Sequence, residues 1–220
     1  MTLKAILEDM QANQSPSVLK RYKKAGENQP YIGLMMGTIN KLAKKYAQSP
    51  DLALPLWQTG ILDAQLLAIQ LFKPQELTKE EAIQLLDDRL SLQVLDKLAD
   101  RVLAKTVYAN QLKEDLFKTD SLVLQRLGWR LQTAAVAQKN LTSSEIEELI
   151  AQIERELKAS PEILKWVMNQ CLVEVAVRYD DYRQAIIGMT EELAVYKDMK
   201  VAKGCTSAYA PDWIAARVKK

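Results

Sequence analysis

Lysines pose the first chemical question. In the stretch YIGLMMGTINKLAKKYAQS, residues 31–49, Ile39, Leu42, Ala43 and Tyr46 fall at i, i+3, i+4 and i+7, which predicts one apolar helix face. Thr38, Lys41, Lys45 and Gln48 fall on another face, with Lys44 beside them. Lys20, Arg21, Lys23 and Lys24 form a second early basic group, and Lys203, Arg217, Lys219 and Lys220 a late one. Acidic residues crowd the middle, as in Glu145, Glu147, Glu148, Glu154 and Glu156. Ammonium groups gathered this way can hold a polyanion without reading its sequence. The competing reading is a solvated helix face. A net charge of +2 does not choose between them; the segregation of charge along the chain favours a polyanion.

The missing residue types narrow the chemistry further. The chain has no His, which removes Ser-His-Asp triads, Cys-His nucleophiles and His-ligated zinc together. Cys171 and Cys205 cannot form a structural zinc site alone, and they read as free thiols of a reducing cytoplasm. Neither a G-x-x-x-x-G-K-[ST] loop nor a G-x-G-x-x-G turn occurs. Any reaction must therefore run on carboxylates, hydroxyls, Lys or Arg, and neither cofactor nor metal is expected. No apolar run reaches the roughly 18 residues of a membrane span. The opening MTLKAILEDM lacks the long apolar core of a signal peptide, so a cytoplasmic location is expected.

The elements that must carry these residues all read as helices. Gly and Pro number only 7 each, too few for the turns of a β protein, and the composition favours helix. Ser15-Pro16 opens a helix through Lys24, ended near Gly26. Ser49-Pro50-Asp51 opens another through Trp57, ended by Gly60, and Ile61 to Phe72 reads as largely buried. Thr78 with Glu81 forms a capping box for Lys79 to Leu90. Ser91 starts a helix with Leu92, Leu95, Ala99 and Val102 on one stripe, and a shorter helix spans Ala109 to Phe117. Thr119 or Asp120 caps a long helix to Gln138, and Thr142 with Glu145 boxes one through Lys158. Ser160-Pro161 opens Glu162 to Arg178, and Tyr182 to Lys197 follows. The tail from Lys203 to Lys220 reads as a cap with one last turn after Pro211. Two pairs starting near Ser121 and Pro161 repeat at about 40 residues, the spacing of HEAT-like units. The expected fold is all-α, an α-α superhelix of HEAT-like repeats, in a single domain over residues 1–220.

Two blocks carry a family resemblance. YIGLMMGTINKLAKKY and LPLWQTGILDAQLLAIQLF resemble the early blocks of the AlkD-type alkylpurine DNA glycosylases, which are built from HEAT-like repeats. The similarity runs diffusely from Tyr31 to Lys197. It implies hydrolysis of the N-glycosidic bond of alkylated, cationic bases. A carboxylate stabilises positive charge on the sugar and positions a water, while aromatic faces add cation–π attraction. The family pattern places Trp-x-x-x-Asp on one helix, Trp-x-x-Arg-Ala-Ala on a later one, and a Trp before Arg/Glu and Tyr on a third.

Carried over, the pattern is only partly kept. DKLAD puts Asp100 at the carboxylate position, and Asp96 stands where the aromatic is expected. RLQTAA puts Thr133 at the Arg position and Arg130 at the Trp position, with Trp129 adjacent. Glu174 takes the place of the third-helix Trp. Asp96, Trp129, Arg130, Thr133 and Glu174 are thus cleft candidates, Asp100 is the catalytic candidate, and Lys20, Lys24, Lys41, Lys44 and Lys45 are the phosphate-contact candidates. Trp57, Trp129 and Trp166 also read as core wedges between helices. The resemblance implies a diverged branch tied to alkylation repair or to binding of double-stranded, damaged or otherwise structured DNA, with weak or absent base excision. The alternative is an inert helical scaffold for a protein partner.

Overall fold

The structure is a computed structural model that describes residues 2–202 and 204–219. Lys203 and Lys220, counted above in the late basic group, lie outside the described residues. Among those residues every regular element is helical, with no strand. Backbone contacts divide the chain into two compact units, residues 1–109 and 110–220.

Unit 1 holds α1 (Leu3–Ala12), α2 (Pro16–Ala25), α3 (Met36–Lys45), α4 (Ala53–Gln58), α5 (Leu62–Leu71), α6 (Lys79–Gln84) and α7 (Leu92–Arg101). Short 3₁₀ turns precede α4 and follow α7. The centre is α5, in which every residue but Gln70 is buried. A helix apolar on all sides must be covered on all sides. Here α3, α4 and α7 pack on α5 and supply that cover. The start and stop chemistry follows local rules. Pro16 sits in the first turn of α2, and Gly26 takes the left-handed conformation just past its end. The predicted capping box of Thr78 and Glu81 forms at α6.

Unit 2 begins as α8 (Ala109–Phe117) leaves the first. It contains α9 (Leu122–Ala137), α10 (Ser143–Glu156), α11 (Glu162–Arg178), α12 (Asp180–Leu193) and α13 (Ala210–Val218). Its centre is α11, covered by α9, α10, α12 and α13. Its unbroken buried run from Cys171 to Ala176 again marks a helix enclosed on all sides. α9 and α11 start 40 residues apart, at Leu122 and Glu162, and lie side by side. The Arg130 Nη1 donates to Gln170 Oε1 at 2.6 Å across that same interval.

Several expected boundaries move, each for a local reason. α6 stops at Gln84 rather than Leu90. Beyond it, Asp87 accepts from both the backbone N–H and the guanidinium of Arg89, a turn that competes with helix. The cap of α9 is Ser121, whose Oγ accepts from Leu124 N, whereas Thr119 donates its hydroxyl backward to Leu116 O. α10 ends at Glu156, and α12 runs from Asp180 to Leu193, two residues earlier at its start than Tyr182. Ala194 adopts φ 52° and turns the chain away before Lys197. Leu92 is 39% exposed at the first position of α7, while Val94 and Leu98 join Leu95, Ala99 and Val102 in the core. The tail forms a full nine-residue helix, α13, rather than a single turn. The additional helix α1 precedes the predicted set, capped by Thr2, whose side chain accepts from Ala5 N.

Candidate functional site

The basic helices of unit 1 are held by a buried polar network. The loop from Glu27 to Leu34 leads from α2 to α3, and its backbone needs partners. Asp63, in the first turn of α5 and fully buried, supplies them. Its carboxylate accepts from Ile32 N at 2.7 Å, Gly33 N at 2.9 Å and Leu34 N at 2.8 Å. Gly33 sits at φ 90°, and a Cβ there would lie 2.7 Å from Leu19 Cδ2, so both torsion and space call for glycine. Gln29 extends the network: its Nε2 donates to Gly60 O and to Gln65 Oε1, and its Oε1 accepts from Ser91 N. Gln65 in turn donates to Trp57 O. Gln14 donates to Ile32 O from the other side of the loop. The whole segment that feeds α3 is therefore pinned to α5 and to the start of α7.

This frame presents a set of cations. Lys20, Lys24, Lys41, Lys44 and Lys45 are all exposed. Among the described residues, Lys20, Lys24, Lys41 and Lys44 make no ion pair. Lys45 differs from them. Its Nζ lies 2.7 Å from Asp9 Oδ2, and Tyr46 also donates its hydroxyl to Asp9 at 2.6 Å. The Lys45 ammonium, followed by Tyr46, holds the Asp9 carboxyl below its usual range, and Asp9 in turn raises Lys45. One of the five phosphate-contact candidates is thus already paired to α1. Lys23, Lys24, Lys44 and Lys45 occupy the last turns of α2 and α3, where cations also complement the helix macrodipole.

Asp96 and Asp100 are half-buried one turn apart on α7, and α7 and α3 both pack on α5. Trp57 is 7% exposed and meets Phe72 edge-to-face at 6.2 Å, a core contact.

Unit 2 carries the remaining cleft candidates on two helices. Trp129 on α9 is 4% exposed, its ring 5.3 Å from that of Phe117. A Cβ at the adjacent Gly128 would lie 2.9 Å from the same Phe117 ring. Trp129 is therefore a wedge in the core rather than a wall open to a base. Arg130 is half-buried and bonded to Gln170, and Thr133 donates its hydroxyl to Trp129 O at 2.8 Å. Glu174 on α11 is 6% exposed. Its two oxygens accept from Arg178, at 2.7 Å, and from Arg217 of α13. Burial pushes the Glu174 carboxyl up, but the guanidiniums of Arg217 and Arg178 outweigh it, and its pKa lies below the ordinary Glu value. Trp166 meets Tyr196 at 5.7 Å and Trp213 at 6.1 Å, so Trp213 anchors the tail helix on α11. Cys171 is buried and Cys205 exposed, both free, and burial pushes the Cys171 thiol up to about 12.

The network of Asp63, Gln29 and Gln65 was not among the predicted site residues. Its signal in the sequence is Asp63 and Gln65 near the start of the run LDAQLLAIQL, whose one further polar residue is Gln70. Among the described residues no group of His, Cys, Asp or Glu could hold a metal ion, and no helix is long and apolar enough to cross a membrane.

Comparisons with known proteins bear on the same residues. No curated protein matches the sequence. One solved structure similar to this chain comes from a family of proteins related to the HEAT-like repeat DNA glycosylases with affinity for branched DNA structures. It superimposes with a TM-score of 0.78 at 20% identity, over 100% of this chain and 94% of that one, which establishes the HEAT-like repeat fold. A protein family described as DNA alkylation repair enzyme matches residues 3–212, through both units and nearly the whole length. The chain accordingly belongs to the DNA alkylation repair enzyme family.

Proposed function

We propose that this protein binds structured DNA, including branched or alkylation-damaged duplexes, through the lysines of α2 and α3, and that it cleaves the sugar–base bond weakly or not at all. The observation that carries this reading is the set of exposed cations Lys20, Lys24, Lys41 and Lys44, unpaired among the described residues and mounted on a segment pinned by Asp63. Lys45 is a secondary contact, since it must leave Asp9 to meet a phosphate. The affinity for branched DNA of the related structural family supports the choice of ligand. The family match across both units supports one functional domain over residues 1–220. A cytoplasmic location is part of the same proposal.

Weak excision follows from the side chains at the cleft positions. Trp129 is buried, Thr133 has no charge, and Glu174 is committed to two arginines. Each missing aromatic contact to a cationic base forfeits about 0.5–2 kcal/mol. We assign any residual excision to Asp100. The test is a pair of assays on the intact protein. Gel-shift titrations with a four-way junction and a linear duplex of equal length should show tighter binding to the junction, weakening as salt rises. Absence of binding to either DNA at low salt overturns the reading. Incubation with duplex carrying an N3- or N7-alkylated purine should release little base, and Asp100→Asn should abolish what is released. Release that persists in Asp100→Asn removes the assignment of the carboxylate.

A further inference from the structure

Unit 1 contains a concave feature chemically opposite to the lysine helices. A groove of about 360 Å³, open to solvent, runs between the start of α4 and the segment that leads into α6. Its apolar lining includes Leu54, Phe72, Leu77 and Leu85. Leu54 is 47% exposed, on the side of α4 away from the buried Ala53, Leu56 and Trp57. An exposed leucine beside a concave apolar lining is a feature of binding surfaces. Three carboxylates, Asp51, Glu76 and Glu81, also line it, against the single ammonium of Lys73. Lys73 is already paired to Glu76 at 2.9 Å.

From this charge pattern we infer that the groove docks a short segment of a partner protein with apolar side chains flanked by Lys or Arg. Phosphates of DNA and anionic lipid headgroups meet net negative charge here and are repelled. A peptide that inserts a leucine-like anchor between Leu54 and Phe72 buries apolar surface on both sides. Its flanking cations then face Asp51 and Glu76, which gives orientation and selectivity. Glu81 is held by its capping box, accepting from Thr78 N at 2.9 Å, so the acidic rim is positioned before a partner arrives. The groove is distinct from the lysines of α2 and α3, and either assignment can fail without the other.

The probe is an amphipathic peptide of about 14 residues with leucines at helical spacing and lysines elsewhere, compared with the same peptide carrying glutamates in place of lysines. Amide NMR spectra of the intact protein should shift at residues 50–54 and 72–85 with the lysine peptide and not with the glutamate peptide. Leu54→Ala, and separately Asp51→Asn combined with Glu76→Gln, should each weaken binding by about fivefold or more, roughly 1 kcal/mol. Affinity for junction DNA should stay unchanged in both variants. Equal shifts with the glutamate peptide, shifts spread over other surfaces, or self-association of the protein through this face would overturn the inference.

Discussion

Gly33 donates its backbone N–H to the fully buried carboxylate of Asp63 at 2.9 Å, thirty residues further along the chain. The contact joins the loop before the lysine helix α3 to the central helix of unit 1. Ile32 and Leu34 donate to the same group, so one side chain satisfies three successive amides. Removing it leaves these donors buried without a partner, at about 1–3 kcal/mol each where water cannot reach them. Asp63→Ala is expected to lower unfolding free energy by about 3 kcal/mol or more. Chemical denaturation measures it, and a loss within 0.5 kcal/mol, the range of a neutral surface change, would refute the structural role.

The glycines give an independent check on packing. Gly33→Ala must accept φ 90° and a Cβ 2.7 Å from Leu19 Cδ2. Gly128→Ala meets the Phe117 ring at 2.9 Å in a helix whose torsions suit alanine. Overpacking of this kind costs about 1–3 kcal/mol. Thermal melts should show both variants destabilised, whereas Gly37→Ala, with nothing within 4 Å of its Cβ, should be neutral or slightly stabilising in α3.

The lysines should separate by their ion-pair status. Lys41→Ala and Lys44→Ala are each expected to reduce the slope of log affinity against log salt by about 0.9, one phosphate contact apiece. Lys45→Ala should have a smaller effect on DNA, because its charge is shared with Asp9 at 2.7 Å. Salt-titrated binding isotherms read all three. Equal slopes for wild type and Lys41→Ala would remove α3 from the interface.

Glu174 links α11 to α13 and titrates in a known direction. Its folded pKa lies below the ordinary value of 4.5. Its contribution is therefore fully present above that ordinary value and is lost as pH falls through the lower folded one. Glu174→Gln should cost about 1–3 kcal/mol at pH 7, less than a fully buried pair because Arg178 and Arg217 are 43% and 31% exposed. The difference between wild type and Glu174→Gln should shrink at about pH 3, below the ordinary carboxylate range. Urea unfolding at the two pH values tests this. A gap that grows in acid would contradict the assigned sign.

Much of this protein was legible in the sequence because its signals are local. The capping boxes of Thr78–Glu81 and Thr142–Glu145 depend on residues three apart, and both form as read. Pro16, Gly26 and the apolar periodicity located α2, α3, α5 and α11, and with them the all-helical class. The positions of Asp100, Thr133 and Glu174 against a family pattern led to the proposal of weak base excision, which the assay on alkylated duplex tests. What the sequence alone did not decide was the partner of each polar residue. Asp9 and Lys45 are 36 residues apart, and Glu174 and Arg217 are 43 apart. Such pairs carry no periodic signature, since packing of the helices brings them together. Only the tertiary structure showed that one of the five lysines is paired, decided between the cleft and core-wedge readings of Trp129 in favour of the core, and showed that Glu174 is used to dock α13. A side chain's availability for function depends on what else reaches it, and that is set by the packing of distant segments.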